Sequence, residues 1–366
     1  MACQFQSIAS TSPFLIKAFS IDFARLGTLV GLYMLLGIFI ALPGGLLAQR
    51  FGTKNLALAG LLLMVVGGVL MGFGSSYEVV AAGRVISGVG AVLINVLATK
   101  MAADWFAGRE IISAMAFLVI SWPLGIALGL LLFAPLAESL SWNAVMYLTA
   151  LMAALSFLLM LLVYRNPPEA TAIKGSHIRL ELARQEWIAV SLAGFVWMTY
   201  NAGYIVLVSF LPGLFTANGY SLSQAGLVVS FLGWLLIPSV PVVGALAERL
   251  GRPRLFLVGG LLAAGLAAAA LPFAREPVIP FGILAVVIGA PAGLIMALPA
   301  QALQPKNRAS GMGVYFTWYY AGMAMLPALA GLARDLTASP AAPALFASVM
   351  MAIAVAGVVG FRLAVR

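Results

Sequence analysis

Apolar residues run through this chain in blocks of helix length, broken by short clusters in which glycine, proline and a few charges gather. A transmembrane helix needs about 20 apolar residues, whereas a membrane β-barrel needs alternating segments of about ten. The blocks here are continuous and without alternation, so the chain is expected to be an all-α membrane protein. The pattern predicts full spans over residues 26–48, 56–74, 79–101, 111–136, 143–164, 187–211, 224–246, 255–274, 278–300, 309–333 and 343–362. A shorter apolar stub, FQSIASTSPFLIKAF, precedes them.

Between the fifth and sixth full spans lies YRNPPEATAIKGSHIRLELARQEW. Asn166-Pro167-Pro168 stops the preceding helix and mixed charges follow, as in a cytoplasmic linker. Its later part, HIRLELARQEW, is expected either as an amphipathic helix on the membrane surface or as a flexible connection. Laying the second half on the first at a shift of 199 pairs Pro13 with Pro212, Gly27 with Gly226, Gly45 with Gly244, Arg50 with Arg249, Gly52 with Gly251 and Arg109 with Arg308. One gap-free register that matches helix breaks, glycines and loop arginines together predicts a structural repeat of six helices per half. The expected domains are an N-terminal bundle over 1–164, a linker over 165–186 and a C-terminal bundle over 187–366, related by a pseudo-two-fold axis. The same shift carries the start of the second half, near Trp187, to a point ahead of Met1, so the first helix is expected to be incomplete and the layout to be eleven full spans plus a stub. No basic leader or small-residue cleavage site marks the stub as a signal peptide.

Composition narrows the picture. The chain is 63% hydrophobic and 8% charged, against about a quarter charged in soluble domains, and its mean hydropathy is +1.08. The net charge of +9 does not point to nucleic acid, because the basic residues sit in short loops between spans. If the loop with Arg50 and Lys54 is cytoplasmic, Arg109, Arg165, Arg184, Arg249, Arg252 and Arg254 fall on the same side, and Lys17, Arg25, Arg275 and Arg334 on the other. This bias places the C-terminus in the cytoplasm and the protein in a cytoplasmic (inner) membrane as a multi-pass chain. Cys3 is the single cysteine and His177 the single histidine, and neither belongs to a metal-ligand cluster. No cofactor or metal is expected.

Two loop motifs stand at matching places in the two halves. GLLAQRFGTK supplies Gly45, Gln49, Arg50, Gly52 and Lys54, and GALAERLGRPR supplies Gly244, Glu248, Arg249, Gly251 and Arg252. Glycine at 44, 45 and 244 lets helices approach closely, and Gly52 permits a sharp reversal. The charges hold each hairpin on one side of the membrane and remain able to pair with neighbouring helix ends or carboxylates. A topological anchor and a gating contact are the two readings, and the second copy favours gating. These residues resemble the major facilitator superfamily, whose members carry a G-x-x-x-D-R-x-G-R-R/K pattern after the second helix and a weaker copy after the eighth. Gln49 stands where the family has its aspartate, which implies a weakened latch for the outward-facing state. RVISGVGA, Arg84 to Ala91, is similar to the family's R-x-x-x-G-x-G pattern in the fourth helix, and SWPLGIALG, Ser121 to Gly129, to its proline- and glycine-rich fifth-helix motif, with Trp122 where a glycine is usual. GTLVGLYMLLGIFIALPGGLLAQRFG resembles the cyanate and nitrate/nitrite-like branch.

Among the charged residues, Arg84 is the one that falls inside a span, six residues beyond Glu78. It either pairs structurally with a carbonyl or tyrosine, or faces a central cavity and attracts negative charge. No acid falls in mid-membrane, so the buried carboxylate of a cation/proton exchanger has no candidate, and an anionic or neutral solute is expected. Gln4 and Gln6 in the stub, Asn95 and Thr99 in the fourth helix, Tyr200, Asn201 and Tyr204 in the seventh, and Tyr315, Trp318 and Tyr319 in the eleventh are the candidate lining. Each has packing as its alternative. The expected function is alternating-access secondary transport of a small molecule by a monomer. An exporter of neutral hydrophobic compounds and a non-transporting sensor on the same fold are the alternatives. The chain has no G-x-x-x-x-G-K-[ST] loop for ATP and no paired catalytic groups, so an enzyme is not expected.

Overall fold

The computed structural model of the chain describes residues 1–40, 51–106, 111–165, 182–274, 277–304 and 307–365. The first half holds α1 (Ala2–Ser10), α2 (Ser12–Phe19), α3 (Phe23–Leu35), α4 (Thr53–Gly72), α5 (Tyr77–Phe106), α6 (Ile111–Ser139) and α7 (Trp142–Leu162). The second holds α8 (Arg184–Ala217), α9 (Leu222–Arg249), α10 (Pro253–Ala270), α11 (Val278–Val287), α12 (Ala292–Met296), α13 (Leu298–Ala302), α14 (Arg308–Thr337) and α15 (Ala342–Val365). No strand occurs among the described residues.

Ten of the described helical segments are long and apolar enough to cross a membrane. Of the eleven predicted spans, the one corresponding to α14 lies outside that set, because Ser310, Tyr315, Thr317, Trp318, Tyr319 and Tyr320 lower the hydropathy of its charge-free interior. The stub is two short helices that meet at Thr11, where Pro13 in the first turn of α2 breaks the ladder. The expectation of one continuous helix over 278–300 is corrected. Gly289, Pro291 and Pro299 divide that stretch into α11, α12 and α13, since each proline lacks the N–H that the ladder needs. α8 begins at Arg184, three residues earlier than predicted, because the Glu186 carboxylate accepts the Ala183 N–H at 3.0 Å and closes the first turn.

Several helices carry large apolar side chains outward. Leu151, Leu155 and Leu162 on α7, and Leu262 and Leu266 on α10, are exposed. In water such a surface would be a liability, and against acyl chains it is the expected belt. Polar groups go inward instead: Gln4, Gln6, Arg84, Thr149 and Glu186 are all buried.

Packing pairs recur in the two halves. α1 lies on α6, α3 on α5 and α4 on α7, while α8 lies on α14, α9 on α11 and α10 on α15. Two seams join the halves, α3 with α14 and α6 with α9. The helix ends sort into a basic end, with Lys54, Arg184, Arg249 and Arg252, and a far end with Asp22, Glu78, Glu138 and Asp335. At the far half of the first seam a Cβ built on Gly27 would sit 2.1 Å from the Pro327 carbonyl oxygen, and one on Gly31 2.0 Å from that of Ala324. At the second, a Cβ on Gly226 would sit 2.4 Å from the Leu130 oxygen and one on Gly233 2.7 Å from that of Pro123. Backbone therefore meets backbone at positions where a side chain has no room.

Toward the basic end α9 stands open. From Trp234 to Arg249, Ala247 is the one buried residue, and a Cβ on Gly244 would meet nothing within 4 Å. The expected close approach at Gly244 is thus absent among the described residues in this state, and the backbone contacts named above belong to the far part of each seam. Gly45, Gln49 and Arg50 lie outside the described residues.

The contrast yields a prediction. Gly31→Ala forces its new methyl onto the Ala324 carbonyl and is expected to cost about 1–3 kcal/mol of stability, as overpacking does. Gly244→Ala is expected to be neutral or stabilising, since it adds helix propensity in open space. Thermal melting of the two variants in the same detergent checks the difference, and equal melting temperatures would remove the seam as a constraint.

Candidate functional site

The first half spends its polar side chains on itself. Arg84, fully buried in α5, donates from Nε to the Leu29 carbonyl at 2.9 Å, from Nη1 to that of Gln4 at 2.8 Å and from Nη2 to those of Phe5 and Val30 at 3.1 and 3.4 Å. Its guanidinium lies 4.4 Å from the Tyr33 ring centroid and 5.6 Å from that of Phe5. A buried cation without a carboxylate must have its N–H groups taken up by dipoles and ring faces. Of the two roles left open for Arg84, this geometry carries the pairing with carbonyls; the guanidinium points into the α1–α3–α5 junction instead of a cavity. Gln4 belongs to the same knot, donating to the Met64 carbonyl at 2.9 Å and accepting from the Tyr33 hydroxyl at 3.3 Å. Gln6 donates to the Ser10 hydroxyl at 3.4 Å, and its own carbonyl oxygen is buried without a partner.

A cavity of about 670 Å³ opens among α1, α4, α5, α6 and α7 on the basic side of this knot, with Cys3, Gln4, Met64, Trp122 and Thr149 in its wall. Arg84 is not among its lining residues. Asn95 is exposed on α5 and accepts the Thr99 hydroxyl on its backbone oxygen at 3.0 Å. Tyr320 of α14 packs its ring against Gly37.

The second half gathers the aromatic candidates on one surface. Residues 197, 200, 201 and 204 share a face of α8, following the three- and four-residue helical spacing. The Trp197 ring stacks on Tyr200 at 5.8 Å and 26°, on Tyr315 at 6.2 Å and 20°, and on Tyr319 at 6.3 Å and 29°. Tyr200 donates to the Ile288 carbonyl at 2.7 Å and Tyr315 reaches the Met296 sulfur at 3.5 Å. Both therefore rest on the interrupted stretch between α11 and α13, where a carbonyl freed from the helix ladder is available. Trp197 Nε1 and the Tyr204 hydroxyl are buried without partners. Asn201 turns back to the Trp197 carbonyl at 2.8 Å, and Trp318 stands edge-on to Phe195 beside an open apolar cleft that also includes Trp187 and Leu192. The structure thus brings Tyr200, Tyr315 and Tyr319 together around Trp197 and leaves Gln4 and Arg84 in the packing of the other half.

Of the loop residues, Lys54 reaches the carbonyls of Leu161 and Tyr164 at 2.9 and 2.7 Å, so it caps the end of α7 within its own half. Gly52 and Gly251 both have positive φ, +84° and +63°. After α9 the Arg252 N–H bonds to the Ala247 carbonyl at 3.1 Å and the Gly251 N–H to that of Glu248 at 3.0 Å, a left-handed helix stop that disfavours any residue with a Cβ. Glu248, Arg249 and Arg252 have exposed side chains.

Three features were missed by the sequence reading. Trp197 lies three and seven residues before Tyr200 and Tyr204, so the face they share pointed to it. Gly289-Ala290-Pro291 signalled the break in the ninth full span. Glu186, an acid outside mid-membrane, is buried and accepts the Gln304 N–H at 2.9 Å and the Asn307 side chain at 2.6 Å, tying α8 to the stretch before α14.

Comparison with known proteins supplies the context. The family model of the Major Facilitator Superfamily matches residues 1–327 and 187–365. The chain is 27% identical over 220 residues to a choline/ethanolamine transporter of Rattus norvegicus, covering 57% of this chain and 39% of that protein. It is 24% identical over 326 residues to an inner membrane transport protein of Escherichia coli, covering 84% and 69%. To a 4-hydroxybenzoate transporter of Pseudomonas aeruginosa it is 23% identical over 273 residues, covering 65% and 61%. The chain spans less than two thirds of the length of the first and third of these.

The Arg84 geometry predicts an unusual ranking of substitutions. Arg84→Lys keeps a buried charge but loses the planar fork that reaches four carbonyls, so it is expected to destabilise by about 2 kcal/mol or more. Arg84→Met removes the charge with its demand for partners and is expected to cost less. Melting curves of the two variants check the order; a Lys variant as stable as the parent would contradict the carbonyl cradle.

Proposed function

The chain belongs to the major facilitator superfamily, and on that premise we propose that it is a secondary active transporter of a small molecule, working by alternating access. The two rocking bodies are residues 1–164 and 187–366, joined by 165–186. The basic end is cytoplasmic, with the C-terminus, and the far end is outside. Closure of both seams at the far end, with separation at Gly244, corresponds to an inward-facing state.

The substrate site in this reading is the aromatic face of α8 and α14 beside the interrupted α11–α13 stretch. The observation that carries it is Trp197 Nε1, buried without a partner among stacked rings, with the equally unpartnered Tyr204 hydroxyl on the same helix. An indole N–H only donates, so its ligand must offer an acceptor. Rings add flat apolar area, and neither α8 nor α14 places a carboxylate at the depth of Trp197 and Tyr315. A small planar compound carrying a carbonyl or carboxylate fits these surroundings better than a simple cation does. The substrate for which one relative is named, 4-hydroxybenzoate, has this chemistry; that of another, choline, does not. The likeness of the first hairpin to the cyanate and nitrate/nitrite branch supports a small anion as the narrower case.

Counterflow in proteoliposomes tests the reading, with labelled 4-hydroxybenzoate, choline and nitrate as probes. The aromatic acid is expected to exchange above the level of empty vesicles, and Trp197→Phe, which keeps a ring and removes the N–H, and Tyr204→Phe to reduce that exchange about tenfold with little change in melting temperature. Equal exchange by Trp197→Phe would contradict the site. Folded protein that exchanges none of the three probes would contradict the transport reading.

A further inference from the structure

We propose that Asp335 and Glu138 are paired outer-gate residues, each latching the first turn of a helix in the opposite half. The proposal rests on the alternating-access reading above and deepens it by naming the contacts that hold the outer side shut.

Any helix leaves its first N–H groups without partners inside the helix. In α3 the Asp22 carboxylate takes its own Arg25 N–H at 2.7 Å. The two preceding donors are taken from across the seam: Asp335, in the last turn of α14, accepts the Phe23 N–H on Oδ1 at 3.0 Å and the Ala24 N–H on Oδ2 at 2.7 Å. A carboxylate at a helix N-terminus also meets the positive end of the helix dipole. The neighbouring Arg334 guanidinium lies 3.7 Å from the centroid of the Phe23 ring, which closes the same corner.

The second seam has a counterpart. At its outer end the Ser223 hydroxyl, in the first turn of α9, donates to the Glu138 carboxylate at the end of α6. Ser223 and Ala24 are partners under the 199-residue shift, as are Gly226 and Gly27, which make the backbone contacts one turn further in. So in each half the same position of the helix after the first hairpin receives an acid from the other half. Below the two latches the apolar contacts offer shape without direction, whereas a carboxylate on two N–H groups fixes register. Opening the outer side must break these bonds and hand the donors to water, which makes them a reversible closure and not a permanent weld.

The test reads the gap between the halves directly. Spin labels on Ser75→Cys and Ala217→Cys, two exposed positions on opposite halves at the far end, in a Cys3→Ser background in lipid nanodiscs, report the outer separation as a distance distribution. The parent is expected to show a short distance. Asp335→Ala and Glu138→Ala are each expected to raise the weight of a longer distance about fivefold, and the double variant further. Glu78→Ala removes an exposed acid of the same end whose interactions with Ser76 and Arg25 stay within its own half and is expected to leave the distribution unchanged. Should the alanine variants fail to fold, Asp335→Asn with Glu138→Gln keeps the volumes and weakens the same bonds, and the same shift is expected. A double variant that melts like the parent and retains its distribution overturns the latch, as does an equal shift from Glu78→Ala. Because these distances need no substrate, either result is separate from the outcome of counterflow.

Discussion

The structure depends on backbone meeting backbone across the two seams between its halves. Helices in lipid gain little from hiding apolar surface from each other, because acyl chains are equally apolar; close contact and shape supply the attraction instead. Gly27 and Gly31 against Pro327 and Ala324, and Gly226 and Gly233 against Leu130 and Pro123, provide that contact on the far half. The basic half of α9 is left open, with Gly244 in open space. A molecule held together at one end of two long seams has an obvious motion available to it. The proposed transport cycle is the exchange of which end is held.

The second constraint is that polar groups inside lipid must find partners, and the two halves meet it differently. In the first half the cation and its neighbours are satisfied internally: Arg84 is cradled by carbonyls of α1 and α3, Gln4 bridges Met64 and Tyr33, and Lys54 caps α7. Buried polar atoms without partners occur in both halves, Gln6 Oε1 and Ser87 Oγ in the first and Trp197 Nε1, the Tyr204 hydroxyl and Ser209 Oγ in the second. An unpaired buried donor is costly unless something binds it for part of the time. Trp197 Nε1 is the one that combines such a donor with stacked rings beside an interrupted helix, which is why the aromatic face, and not the Arg84 knot, is the proposed place for a solute.

Most of the helical layout was legible in the sequence because a 20-residue apolar block has few other fates, and because the 199-residue repeat placed Gly27 and Gly226 in register before any coordinates. Arg84 stood out as a charge in the wrong place. Its surroundings were hidden, since carbonyls carry no sequence signal and those that satisfy it belong to helices some fifty to eighty residues away. The same limit concealed Asp335, a surface acid by composition whose partners are main-chain N–H groups of α3. Gly244 misled for a different reason: a glycine suited to close approach states nothing about the conformation in which that approach is made. The ninth full span was drawn as one helix because its apolar run hid Gly289-Ala290-Pro291, where proline chemistry overrides hydropathy.

The central claim, that the outer seam must open for a solute to move, is tested most directly by locking it. Cysteines at Ser75 and Ala217, exposed positions of the two halves at the far end, can be joined by a short reducible bis-thiol cross-linker in a Cys3→Ser background in proteoliposomes. The account predicts that counterflow of 4-hydroxybenzoate falls to the level of empty vesicles when the bond forms and returns when a reductant breaks it. Undiminished counterflow through fully cross-linked protein would contradict it.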